Sequence, residues 1–280
     1  MIQDIAPHKL NNQYGQKKAP DAGSRFLYYD GRKVLVRKGI GGNENQIAYP
    51  TYEELKKCMP KDVAEDTEYT YLFAVDDKSY YLGKKENVGI LSEQMGYEWI
   101  DHQEFRCVSP KYEAFAGITG WQLARWYQDH KFCGRCGNVM KPDHVERMMQ
   151  CPKCGLMEFP KICPAVIIGV IDGDRILMSK YAGREYTLLA GFTDIGETLE
   201  ETVSREVMEE VGLKVKNITY YKNQPWAFSD TLLMGFFCEL DGSDQVKLDE
   251  NERSTQIRLM KVKDMIIEEN IQEKRKENYG

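Results

Sequence analysis

GFTDIGETLEETVSREVMEEVGL, residues 191–213, decides how the C-terminal part of the chain is read. Thr198 followed at the third position by Glu201 is a capping box, so a helix starts near Leu199. Gly212 suits the position just past a helix C-terminus, so the helix ends near Val211. Glu206, Glu209 and Glu210 stand at i, i+3 and i+4 and share one face of its last turns. That end of a helix carries negative dipole charge and disfavours carboxylates, and like charges at this spacing repel. Each penalty is about a few tenths of a kcal/mol, and both act in the same direction. A bound divalent cation removes the conflict. Hard ions such as Mg²⁺ take carboxylate oxygens and keep waters and phosphate oxygens in the rest of the shell. Arg205 is placed to tether Glu197 or Glu206, and Gly191 and Gly196 let the preceding loop turn tightly. A solvated acidic face is the competing reading, weakened by the unfavourable helix end.

Around this helix, AVIIGVIDGDRILMSK (165–180) predicts a hairpin turning at Asp172-Gly173. TLLAGF (187–192), VKNITYYK (215–222) and TLLMGFFCEL (231–240) predict strands, and a polar helix is expected from about residue 262. This order predicts an α/β domain with a mixed sheet. The first third reads as β-rich. FLYYDGRKVLVR (26–37) predicts two extended runs around Asp30-Gly31, and YTYLFAVDDKSYYLG (69–83) a hairpin at Asp76-Asp77. Helices are expected at 50–58 and 113–130, with Trp121 and Trp126 of the second serving in packing.

Four of the eight cysteines form two C-x-x-C pairs, Cys133/Cys136 and Cys151/Cys154, with 14 residues between the inner members. Two such turns close a tetrahedron around Zn²⁺. Gly137 and Gly155 suit the backbone such knuckles need. Four sulfur ligands leave no open position, so this zinc is expected to be structural. Reduced buried thiols or a redox pair are the other readings.

The chain has 280 residues, 42% of them apolar, which suffices for ordinary cores in two or three domains. A net charge of −6 gives no general attraction to nucleic acid or to an anionic membrane. The longest apolar runs, such as AVIIGVI (165–171), are too short to span a bilayer, and the first residues lack the apolar core of a signal peptide. The expectation is a soluble, cytoplasmic protein.

The opening stretch resembles the Nudix box, G-x5-E-x7-R-E-U-x-E-E-x-G-U with U aliphatic. Gly191, Glu197, Arg205, Glu206, Val207, Glu209, Glu210, Gly212 and Leu213 all match. Further segments are similar to one branch, the NADH pyrophosphatases, over nearly the whole chain. Residues 223–231, NQPWAFSDT, match that branch's S-Q-P-W-P-F-P-x-S at Gln224, Pro225, Trp226 and Phe228, and depart at Asn223, Ala227, Ser229 and Thr231. FPKICP (159–164) resembles its Y-P-R-x-D-P, with Cys163 replacing the acid.

The resemblance implies a β-rich, Nudix-like N-terminal domain over 1–125 and a zinc ribbon with its preceding linker helix over 126–158. It implies a C-terminal Nudix domain over 159–280, an α/β/α sandwich with a mixed sheet. It implies metal-dependent hydrolysis of the pyrophosphate of NAD(H) to NMN(H) and AMP, and removal of NAD caps from RNA. Glu206, Glu209, Glu210, Arg205 and Glu197 would be the catalytic set, with Glu206 the first choice as base. Mg²⁺ or Mn²⁺ would be held by Glu206, Glu209, Glu210, the Ala190 carbonyl and Glu252, with Glu250 as runner-up for the last. Phe159 and Phe192 would sandwich the nicotinamide ring across a homodimer interface, and Glu146, Gln224, Pro225, Trp226, Phe228 and Thr231 would complete the substrate site. A Nudix hydrolase of ADP-ribose or another nucleoside diphosphate derivative, and a non-catalytic regulator whose zinc ribbon binds nucleic acid, are the alternatives.

Overall fold

The computed structural model describes residues 1–15, 19–58, 69–84, 88–181, 186–247 and 254–261. The chain divides into two compact units, Met1–Lys161 with Ala227–Asp230, and Ile162–Trp226 with Thr231–Gly280.

In the first unit the strands are β1 (Leu10–Asn11), β2 (Arg25–Leu27), β3 (Tyr29–Asp30), β4 (Lys33–Val36), β5 (Thr70–Val75), β6 (Lys78–Leu82) and β7 (Glu98–Asp101). They form a four-stranded sheet of order β1-β5-β6-β2 and a three-stranded sheet of order β3-β4-β7. The helices are α1 (Tyr52–Cys58), α2 (Val88–Met95) and α3 (Lys111–Asp129). The expected hairpins are present, and Gly31 and Asp76 take the left-handed backbone their turns require, at φ 58° and 55°. The first run is interrupted at Tyr28. Arg25–Leu27 joins one sheet parallel to β6, and Tyr29–Asp30 joins the other. Neighbouring side chains point to opposite faces of a strand. Leu27, Leu72 and Tyr80 enter one buried cluster, and Phe26, Tyr71 and Tyr81 the other.

Helix α3 fills the first of these clusters through Ala114, Ile118 and Trp121. Its two glycines permit the approach. A Cβ at Gly117 would stand 2.1 Å from the Tyr49 hydroxyl, and one at Gly120 would stand 2.4 Å from Leu27. Trp126, further along α3, packs with Cys133, Met140, Met149 and Cys151. Both tryptophans are therefore packing residues. The same helix continues unbroken past residues 125 and 126 into the cysteine segment, whose short strands β8 (Lys141–Pro142), β9 (Met149–Gln150) and β10 (Met157–Glu158) form a sheet of order β10-β9-β8.

The second unit contains β11 (Cys163–Asp172), β12 (Arg175–Tyr181), β13 (Tyr186–Thr187), β14 (Leu189–Phe192), α4 (Leu199–Val211), β15 (Val215–Trp226), β16 (Thr231–Leu240) and β17 (Ser254–Lys261). Its sheet runs β13-β12-β11-β16-β15, with β14 on β11 and β17 on β12. The β11–β16 pair is parallel and the others are antiparallel, so the sheet is mixed. Val203, Val207 and Val211 repeat at i and i+4 along α4 and pack on Val166, Ile168, Val170 and Phe236. Each buried valine contributes about 1.5 kcal/mol or more. The helix expected after about residue 262, which would supply the second helical layer, lies outside the described residues.

The run VKNITYYK does not stop at Lys222. Strand β15 continues through Asn223-Gln224-Pro225-Trp226, pairing with Thr231–Met234. Pro225 has no N–H to give, but β15 is the edge of the sheet, where a proline is tolerated. No helix among the described residues is long and apolar enough to cross a membrane.

Candidate active site and zinc ribbon

The opening stretch folds as its residues dictate. Thr198 accepts from the Glu201 N–H, and the Glu201 carboxylate accepts from the Thr198 N–H at 2.8 Å, so both halves of the capping box form. Gly212 closes the helix at φ 67°, and the Lys247 N–H donates to the Val211 carbonyl at 2.8 Å. The acidic face of α4 is thereby fixed beside β14 and its following loop.

Arg205 organises that face. Its Nε donates to Glu197 at 2.6 Å and its Nη2 to Glu197 and the Phe192 carbonyl, each at 2.9 Å. Nη1 donates to Glu206 and Glu209, again at 2.9 Å. One guanidinium thus gathers three of the four box glutamates, answering both halves of the tether expectation. Glu197 also accepts from the Asp194 N–H at 3.1 Å and the Thr202 hydroxyl at 3.0 Å. The Arg205 hydrogen bond pulls its carboxyl down to about 2. Thr202 was not among the expected site residues. Its place one helical turn before Arg205 is the signal that finds it.

Glu206 differs in kind. Its side chain is 12% exposed, against 57% for Glu209. Burial pushes its carboxyl above the usual range, with Arg205 opposing. The carboxyl lies on the bare backbone of Gly191, where a Cβ would stand 1.9–2.2 Å from its atoms. Glu210 is half-buried on the same helix, and Ala190 is exposed in β14. Carboxylate oxygens are the donors a hard divalent cation takes, but among the described residues the only metal-ligating side chains that converge are the four cysteines, and Glu206 and Glu209 are engaged by Arg205. Glu252 and Glu250 lie outside the described residues.

The expected aromatic pair is placed outward. Phe159, in the first unit, is 54% exposed, and Phe192, in the second, is 56% exposed, so neither is a core residue. Glu146 is exposed, its N–H donating to Asp143 at 2.7 Å. Gln224, Pro225 and Trp226 occupy the end of β15. Phe228 belongs to the first unit, with the Arg106 guanidinium 5.0 Å above its ring, and Thr231 is buried.

In the cysteine segment, the four sulfurs of Cys133, Cys136, Cys151 and Cys154 lie within 4.8 Å of one another. The Cys133–Cys154 and Cys136–Cys151 pairs are 3.5 Å apart. Thiolates bound at about 2.3 Å around tetrahedral zinc stand about 3.8 Å from each other, so the set fits the ion. Gly137 and Gly155 have φ of 69° and 72°, and their N–H groups donate to the Cys133 and Cys151 carbonyls. Burial raises the Cys151 thiol, but the N–H groups of Cys154 and Lys153 and the neighbouring thiols more than offset this and bring it down to about 6.

Fold and site together define a Nudix domain preceded by a structural zinc ribbon. The NUDIX domain profile matches residues 161–279 and the NADH pyrophosphatase zinc ribbon domain profile residues 128–159. The NAD-capped RNA hydrolase NudC of Escherichia fergusonii is 44% identical over 198 residues, covering 69% of this chain and 77% of that one. The enzyme of the same name from Salmonella schwarzengrund is 45% identical over 130 residues, 45% of this chain. The match spans about half, 51%, of that relative's length. A NUDIX hydrolase structure from Nitrosomonas europaea is 25% identical, with a TM-score of 0.41 over 48% of this chain and 78% of that one. The chain belongs to the NAD-capped RNA hydrolase NudC family of Nudix hydrolases.

Proposed function

We propose that the protein hydrolyses the pyrophosphate bond of NAD(H) to NMN(H) and AMP, and removes NAD caps from RNA 5′ ends. The observation that carries this reading is the gathering of Glu197, Glu206 and Glu209 on Arg205 beneath Gly191. Glu206, Glu209 and Glu210, with the Ala190 carbonyl and Glu252, would hold Mg²⁺ or Mn²⁺. When bound, the ion neutralises charge on the diphosphate and eases attack by water. Glu206 is the first choice to take the proton of the attacking water. Arg205 and Glu197 hold Glu206 in place, and the bond from the attacked phosphorus to the bridging oxygen breaks.

Phe159 and Phe192 would stack on the nicotinamide ring in a homodimer, one ring from each copy, and their exposure in the single chain supports this. Glu146, Gln224, Pro225, Trp226, Phe228 and Thr231 are the proposed substrate contacts. The three domains, 1–125, 126–158 and 159–280, and a cytoplasmic location belong to the same reading.

Incubation with NADH, NAD⁺ and NAD-capped RNA side by side, with and without Mg²⁺ or Mn²⁺, tests it by product identification. Cleavage of ADP-ribose in preference to all three would favour the other hydrolase reading, and binding without turnover the regulator. Phe192→Ala is expected to lower selectivity for nicotinamide dinucleotides over ADP-ribose; an unchanged kcat/KM ratio removes the stacking assignment.

A further inference from the structure

A cavity of about 490 Å³ opens within the first unit, lined among others by Tyr14, Tyr69, Tyr71, Tyr127, Asp143 and His144. Its size is that of a small-molecule site. None of these residues belongs to the proposed active site. Four tyrosines line it, and an aromatic wall suits a flat ring; Tyr71 is itself buried, and Tyr14 carries Arg147 over one face.

Behind the tyrosines stands Arg147. Its guanidinium lies 5.0 Å from the centre of the Tyr14 ring. Nη2 donates to the Leu72 carbonyl and, at 3.0 Å, to the Asn12 side chain. Nη1 is buried with no hydrogen-bond partner among the described residues. The strongest electrostatic neighbours of Arg147 are Tyr127, Tyr14 and Tyr71, and Tyr127 is hydrogen-bonded to its guanidinium. Asp143, the acid of the lining, already accepts from the Val145 and Glu146 N–H groups at 2.8 and 2.7 Å. Arg147 is half-buried, and an anion brought into the field of a partly desolvated cation is favoured. His144 is exposed at the same lining and adds a further donor.

Aromatic walls and a half-buried cation close behind them together select a ligand that is both flat and anionic. We propose that this cavity binds a nucleotide, its base against the tyrosine rings and its phosphate drawn toward Arg147. The ligand is either a free mononucleotide or one nucleotide of an RNA strand, since both present the same base and phosphate. The proposal does not depend on the catalytic reading, because every residue it uses lies in the first unit.

The test uses the full-length protein and two probes, 4-thiouridine 5′-monophosphate and a short 5′-phosphorylated oligouridine carrying one 4-thiouracil. Neither contains the diphosphate bridge that the proposed active site would cleave. After irradiation and digestion, cross-links are expected in peptides bearing Tyr14, Tyr69, Tyr71 or Tyr127. Labelling by both probes makes a free nucleotide sufficient, and labelling by the oligonucleotide alone makes an RNA strand the ligand. Tyr14→Ala is expected to weaken binding about tenfold, the scale of one lost stacking contact, and Tyr14→Phe to restore it. Cross-links confined to residues 162–280, no cross-links with either probe, or unchanged affinity in a folded Tyr14→Ala protein overturns the proposal. The map on the unaltered chain decides the matter if the alanine variant does not fold.

Discussion

Gly191 and Glu206 occupy one another's space. A methyl group at Gly191 would fall within bonding distance of the Glu206 carboxyl, so Gly191→Ala must displace either the strand end or the carboxylate. Overpacking of this kind costs about 1–3 kcal/mol. Because it moves the proposed base, turnover is expected to fall about 10²-fold or more while the protein still folds. Steady-state kinetics beside a thermal melt checks this, and near-normal kcat would remove Glu206 from its assigned position. Glu206→Gln is expected to lower kcat by at least ~10²-fold with little change in Tm, since the amide keeps the shape and loses the proton acceptor. At this scale the sequence showed which acids share a face. It did not show that Arg205 would bind three of them and the Phe192 carbonyl together, because a side chain's choice among acceptors depends on the path of the loop before the helix.

At the scale of elements, α4 was legible to the residue because its start and stop are set by local chemistry, a capping box and a left-handed glycine. Thr198→Ala is expected to destabilise the protein by about 1 kcal/mol, a fall of a few degrees in Tm, with kcat per folded molecule largely kept. Strand β15 was legible only in part. Asn223–Trp226 carries a proline and polar side chains, and its pairing with β16 is set by a sheet edge that no local pattern records. Helix α3 sets local and tertiary preference against each other. Alanine in place of glycine favours a helix by about 1 kcal/mol, yet a Cβ at Gly117 meets Tyr49 and Phe105. Gly117→Ala is therefore expected to lower the urea midpoint; a rise would show that Tyr49 and Phe105 yield readily.

Across the whole molecule, the two units rest on different supports. The second has a mixed sheet and the apolar face of α4. The first has two sheets around α3, continued into a segment whose strands are only two residues each. Strands so short do not hold themselves together, so the cysteine cluster is what closes them. Metal analysis of the native protein is expected to find about one zinc per chain, and none would refute the closed site. Chelation is expected to lower the stability of the first unit, read as new proteolytic cleavage within residues 131–158. The cysteine spacing made this centre plain in the sequence, whereas the tyrosine cavity with Arg147 was not legible, because its members come from segments far apart along the chain.

Trp126, near the end of α3, shares one buried cluster with Cys133 and Cys151. An indole so placed senses the polarity and rigidity of the metal knuckles beside it. Its fluorescence should therefore report the loading of the centre, shifting to the red as chelation admits water, and Trp126→Phe should abolish that component of the signal. The chain carries its own optical gauge of whether the ribbon is closed.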